Sequence, residues 1–166
     1  MMAPAQPKPV VTPVLLLRVG LWLLVVPFAV TGLWASLAPT SFFASFPGLG
    51  HAWVVVLPPY NEHLVRDVGD LYLGLAVVVA WAAVTLDRRV TQAALVASLV
   101  AGLPHVLFHL QHLDGLAAAD ATAELSSLTL TVVLPLALLV ATGRIGGAQA
   151  QRARCERARR RDTDEA

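Results

Sequence analysis

Four apolar runs, each long enough for a helix of about 20 residues to cross a hydrocarbon core, are separated by connections that carry most of the charge. They extend from Val14 to Trp34, Leu64 to Leu86, Val90 to Leu113 and Leu125 to Gly143. An unpaired backbone amide in lipid costs several kcal/mol, so each run must close its hydrogen bonds internally, as a helix. A membrane β-barrel would show short alternating strands, whereas these runs are continuously apolar. With only 14% charged residues and a mean hydropathy of +0.67, the chain has the composition of a protein whose solvent is largely lipid. The expected fold is therefore all-α, an integral membrane four-helix bundle spanning 14–143, preceded by a segment 1–13 and followed by a basic tail 144–166.

The basic residues suggest an orientation, because short cytoplasmic loops are enriched in Lys and Arg. Lys8 precedes the first span, Arg88 and Arg89 occupy the tight turn between the second and third, and seven arginines lie from Arg144 to Arg161. The other two connections carry Glu62, Asp114, Asp120 and Glu124, with Arg66 the only basic residue near them. Both termini are expected in the cytoplasm of a multi-pass cell-membrane protein. The first run resembles a signal peptide, but it is span-length and Pro39 follows Ala38 at the candidate cleavage site, so an uncleaved anchor is expected. One lysine against eleven arginines suggests a GC-rich bacterial genome.

The partners expected from this pattern are the lipid bilayer itself and, through the basic tail, anionic lipid headgroups. Nucleic acid is not expected, and an oligomer or larger membrane complex is left open. The lone Cys155 supports neither a disulfide framework nor a thiolate metal site. Arg18, near the cytoplasmic end of its span, can snorkel to the interface. The loop 35–61 holds Phe42, Phe43, Phe46, Trp53 and Tyr60 among four prolines, a composition that favours an interfacial anchor over a lid on the bundle.

Ionisable residues inside a span are costly and mark its informative face. Glu62, Arg66 and Asp70 recur every four residues, with His63 and Asp67 beside them, within an arc of roughly 140° on a helix. In the third span His105, His109 and His112 fall within roughly 60° of one another, and the row continues through Ala101, Ala97 and Ala93. Small residues permit close helix approach, so that alanine row and Gly74 are expected to pack inward. A tight turn at Asp87-Arg88-Arg89 makes the two helices antiparallel neighbours. His63 then lies level with His112, Asp67 with His109 and Asp70 with His105, and all eight residues should form one site. Pro27, Pro104 and Pro135 each remove a helix hydrogen bond, and a kink at Pro104 would aim the histidine segment.

Three occupancies fit such a cluster. It can be a structural polar network, since buried charges are generally paired whatever their role. It can hold a single metal ion, with His105, His109, His112 and Asp67 as the ligand set, or a haem. It can also be a substrate or quinone pocket in which His and Asp exchange protons. The His-x-x-x-His-x-x-His spacing is similar to that of membrane desaturases, but their di-iron sites use eight or more histidines and this chain has five. A proton-coupled transporter is disfavoured because the ionisable residues gather on one side.

The stretches Leu17-Arg18-Val19-Gly20-Leu21-Trp22, Gly32-Leu33-Trp34 and Pro39 to Phe46 resemble the start of DoxX-like proteins, which are small four-helix bacterial membrane proteins. Arg66-Asp67-Val68-Gly69-Asp70-Leu71-Tyr72-Leu73-Gly74 resembles the start of their second helix. The likeness covers about the first half of the chain and implies the four-helix fold, with a link to quinone or thiol redox chemistry. The histidine run has no counterpart in the pattern. The functional expectation is an outward-facing His/carboxylate site taking a metal or small redox partner, or else an accessory or scaffold subunit whose polar network is structural.

Overall fold

The computed structural model describes residues 11–57 and 59–164, with side chains described for 14–57 and 59–143. Lys8 and the side chains of the arginine-rich tail, on which the lipid-headgroup expectation rests, lie outside the described residues. The chain forms α1 (Val11–Leu37), a short α2 (Pro39–Ser45), a two-residue hairpin of β1 (Pro47–Gly48) and β2 (His51–Ala52), and a 3-10 turn at Val54–Val56. Three long helices follow: α3 (Glu62–Thr85), α4 (Arg88–Leu110) and α5 (Ala118–Asp164). Among the described residues, four helical stretches are long and apolar enough to cross a membrane: Val14–Leu37, Glu62–Thr85, Arg88–Leu110 and Ala118–Gly143. The all-α four-helix expectation holds, with the last span starting several residues earlier than the apolar pattern indicated.

The helix ends follow from local chemistry. The Asn61 side chain accepts the Leu64 amide and opens α3. Leu86 takes a left-handed conformation that stops α3, and Asp87 at once caps α4 by accepting the amides of Arg89 and Val90, each at 2.9 Å. That compact turn reverses the chain where the acidic-basic triplet suggested. The α3–α4 turn defines one end of the bundle, the turn end, and the α2–hairpin segment and the α4–α5 connection define the other, the loop end.

The closely packed core sits toward the turn end. Leu17, Leu21, Leu24 and Phe28 of α1 meet Ala76, Val79, Ala82 and Ala83 of α3, Ala94 and Leu95 of α4, and Leu138 of α5. Many other apolar side chains, among them Leu16, Leu23, Val77, Trp81 and Val100, face outward. In water that much exposed apolar surface would be an aggregation hazard, whereas in a bilayer it is the lipid-contacting surface.

The α3 and α4 helices are in contact as expected, but they are not each other's main partners. α3 packs chiefly on α1, and α4 chiefly on α5. The α1–α3 crossing is made by glycines: a Cβ on Gly32 would stand 2.9 Å from the Gly69 carbonyl oxygen, and one on Gly69 would stand 2.6 Å from the Ser36 amide nitrogen. Backbones approach this closely only where no side chain intervenes. On α4 the buried residues are Thr91, Ala94, Leu95, Ser98, Gly102 and His109, while Ala93, Ala97 and Ala101 are exposed. A Cβ on Gly74 likewise would meet nothing within 4 Å among the described residues. The alanine row and Gly74 were expected to pack inward and do not, because in lipid an apolar face carries no sign of which side is inside.

Candidate functional site

The α3 polar row is satisfied within its own neighbourhood. Arg66 Nε donates to Glu62 Oε1 at 2.8 Å, and Arg66 Nη1 donates to the carbonyl oxygen of Ser36 in the last turn of α1. The guanidinium thus covers a helix carbonyl left without an intrahelical partner. Ser36 Oγ donates to Asp70 Oδ1 at 2.7 Å, so one buried serine binds two α3 side chains. His63 Nε2 lies 3.3 Å from Asp67 Oδ2, one turn away on the same helix. Glu62, His63, Arg66, Asp67 and Asp70 are all exposed. The row reads as a clasp between α1 and α3.

The three α4 histidines separate by depth. His112 is exposed, with Nδ1 2.7 Å from the Phe108 carbonyl oxygen and its ring stacked on Phe108 at 4.0 Å. His105 is half-buried and meets His109 edge-on, with ring centroids 4.6 Å apart. His109 is buried, and its Nδ1 lies 2.9 Å from Oε1 of Glu124, which is buried as well. The separation suits an ion pair, but the ring is not aligned for a hydrogen bond, and neither His109 Nδ1 nor Glu124 Oε2 has a hydrogen-bond partner among the described residues.

This geometry corrects the expected facing of α3 and α4. Among the described residues no hydrogen bond or ion pair joins His105, His109 or His112 to Asp67, Asp70 or any other member of the α3 row. The expected ligand set of His105, His109, His112 and Asp67 is not brought together, and no group of three or more His, Cys, Asp or Glu among the described residues is placed to hold a metal ion. The reason is the helix pairing. The Gly32–Gly69 crossing turns the α3 row toward Ser36, and Gly102, 3.4 Å by its would-be Cβ from Thr131, seats α4 on α5. Gly102–Thr131 and His109–Glu124 share one antiparallel register, which carries His109 to α5.

A second polar contact lies one helical turn before Glu124. Asp120 Oδ1 accepts from Trp53 Nε1 at 3.0 Å and lies 2.6 Å from His51 Nδ1. Trp53 is buried, and a row of aromatic contacts runs from it through Phe46 and Phe42 to Trp34. Val56 reaches the α4–α5 connection, 3.5 Å from a would-be Cβ on Gly115. The protein itself therefore buries Phe42 and Trp53, and the loop docks on α5. Phe43, Phe46 and Tyr60 of the same loop are only half-buried, as the expected interfacial anchor also requires.

Sequence reasoning missed four residues that make these contacts: Ser36, His51, Asp120 and Glu124. Asp120 and Glu124 stood out only as loop acids, although their i,i+4 spacing at the start of an apolar run put both carboxylates on one helix face. Chemically, the His109–Glu124 pair offers a carboxylate oxygen and an imidazole nitrogen, side by side in a poorly hydrated place, able to hydrogen-bond or exchange a proton with a small polar group. No family model matches the chain, and neither a curated protein nor a solved structure does.

Proposed function

We propose that this chain is a DoxX-like multi-pass membrane protein whose loop end faces outward and binds a small hydrogen-bonding molecule, such as a quinone headgroup or another small redox partner, at His109 and Glu124. The observation that carries this reading is a buried carboxylate whose second oxygen has no partner among the described residues. A buried polar atom without a hydrogen bond costs about 1–3 kcal/mol, so a ligand that supplies a donor there gains what the fold alone leaves unmet. The outward orientation is supported by the basic pair Arg88-Arg89 at the turn end against the acids Asp114, Asp120 and Glu124 at the loop end. The tail arginines would then meet the cytoplasmic leaflet and its anionic headgroups.

A short-chain quinone analogue titrated into detergent-purified protein, followed by thermal stabilisation, tests the reading. Saturable stabilisation that is weakened at least tenfold in Glu124→Gln and His109→Gln is the expected result. If the analogue and a panel of small polar molecules leave stability unchanged, the binding reading fails. The accessory or scaffold reading would then stand, favoured by one observation: the Glu62, Arg66, Asp70 and Ser36 network already closes on itself.

A further inference from the structure

We infer that the segment from α2 through the 3-10 turn is a lid over the loop end of the α4–α5 seam, held shut by Asp120, and that it controls access to Glu124. The inference rests on the proposed binding role for the reason access matters, while the lid itself rests on geometry. Three contacts define it. Asp120 Oδ1 alone receives both the Trp53 indole N–H and the His51 ring, so two loop side chains converge on one carboxylate oxygen of α5. Val56 packs at Gly115, so the same segment also touches the connection that joins α4 to α5. Asp120 lies one turn before Glu124, about 6 Å along the helix axis, so the latch and the buried pair occupy the same end of the same helix.

The exposure gradient agrees with a cover. Side-chain exposure falls from 51% at His51 to 25% at Asp120 and 5% at Glu124, so burial deepens from the latch to the buried pair. The latch is also built to release. Its polar contacts are made to one oxygen of a partly exposed carboxylate, where water can take their place. Trp53 supplies the other half of the closure: its buried ring extends the aromatic row Phe46–Phe42–Trp34, which ties the lid back to the end of α1. Asp120 is thus a positioning residue that acts on Glu124 by holding Trp53 and His51 in place.

Access to Glu124 can be read without any ligand. The purified full chain in detergent is treated with a carbodiimide, and modification of Glu124 is followed by peptide mass spectrometry, with exposed Glu62 as the internal reference. In the wild-type protein Glu124 should react at least tenfold more slowly than Glu62. In Asp120→Ala the Glu124 rate should rise about tenfold while the Glu62 rate stays constant. Trp53→Phe keeps the aromatic packing and removes only the indole donor, so it should raise the rate by a smaller factor; it also supplies the answer if Asp120→Ala proves unstable. Equal Glu124 rates in wild type and in whichever variants fold would overturn the lid, as would a wild-type Glu124 already as reactive as Glu62. Because quinone binding plays no part in this measurement, a failed lid and a failed binding site are distinguished.

Discussion

Gly69 meets Ser36 backbone to backbone: a Cβ on the glycine would stand 2.6 Å from the Ser36 amide nitrogen and 3.0 Å from the Ala35 carbonyl carbon. Neither atom belongs to a side chain that can swing aside, so Gly69→Ala must push α1 and α3 apart and break the Arg66 and Asp70 contacts to Ser36. A loss of about 1–3 kcal/mol is expected, as for other overpacked sites. Gly74→Ala, on the same helix with nothing within 4 Å, should be neutral or gain up to about 1 kcal/mol from helix propensity. Unfolding both variants in mixed micelles checks the pair, and equal losses would refute the crossing.

The four spans were legible because length and continuous hydrophobicity alone require helices in lipid, and the reversal at Asp87-Arg88-Arg89 was legible from the short charged break between two apolar runs. The helix partners were not. A tight turn makes α3 and α4 sequence neighbours, but the close pairings are fixed by Gly32 with Gly69 and by Gly102 with Thr131, and glycine positions carry no partner label. The buried face of α4 was misplaced by about one residue, from Ala97 to Ser98, because apolar residues cover both the lipid side and the protein side of a membrane helix. That change of face carries His109 from the expected Asp67 to Glu124 and leaves His105 and His112 without a carboxylate contact among the described residues. His51 escaped notice because a lone loop histidine has no periodicity to mark it.

Leu49 and Leu86 share a left-handed backbone, at φ 57° and 51°, but not a surrounding. Leu49 is fully exposed at the hairpin tip, whereas Leu86 packs against the core. The left-handed conformation costs a leucine roughly 1–2 kcal/mol, and asparagine tolerates it better. Leu49→Asn should therefore raise stability by up to about 1 kcal/mol, relieving strain without losing packing. Leu86→Asn should lower stability by about 1 kcal/mol or more, since the lost burial exceeds the relief. Melting in detergent distinguishes the two, and a stabilised Leu86→Asn would contradict its role in closing the core.

The proposed orientation is checked by reporter fusions. Alkaline phosphatase, which is active only outside the cytoplasm, should be active when fused after Asp120 and inactive after Arg89. The opposite pattern would invert the bundle, placing the His109–Glu124 pair and its lid on the cytoplasmic side.

His109 and Glu124 are both buried and lie 2.9 Å apart between α4 and α5, so each single replacement leaves the other without its counterpart. Removing one member of a buried polar pair leaves the other's polar atom unmatched at about 1–3 kcal/mol, whereas replacing both with apolar residues of similar shape can be nearly neutral. Glu124→Leu and His109→Leu should each destabilise the bundle, and the double variant should recover part of the loss, giving a coupling energy of about 1 kcal/mol in a double-mutant cycle. Additive losses would mean that the two residues are neighbours without being partners. The double variant also distinguishes architecture from chemistry: once the apolar pair restores the seam, any ligand-induced stabilisation seen in the wild type must come from the carboxylate and imidazole themselves. A folded double variant that still binds the quinone analogue as tightly as wild type would remove the pair from the proposed site.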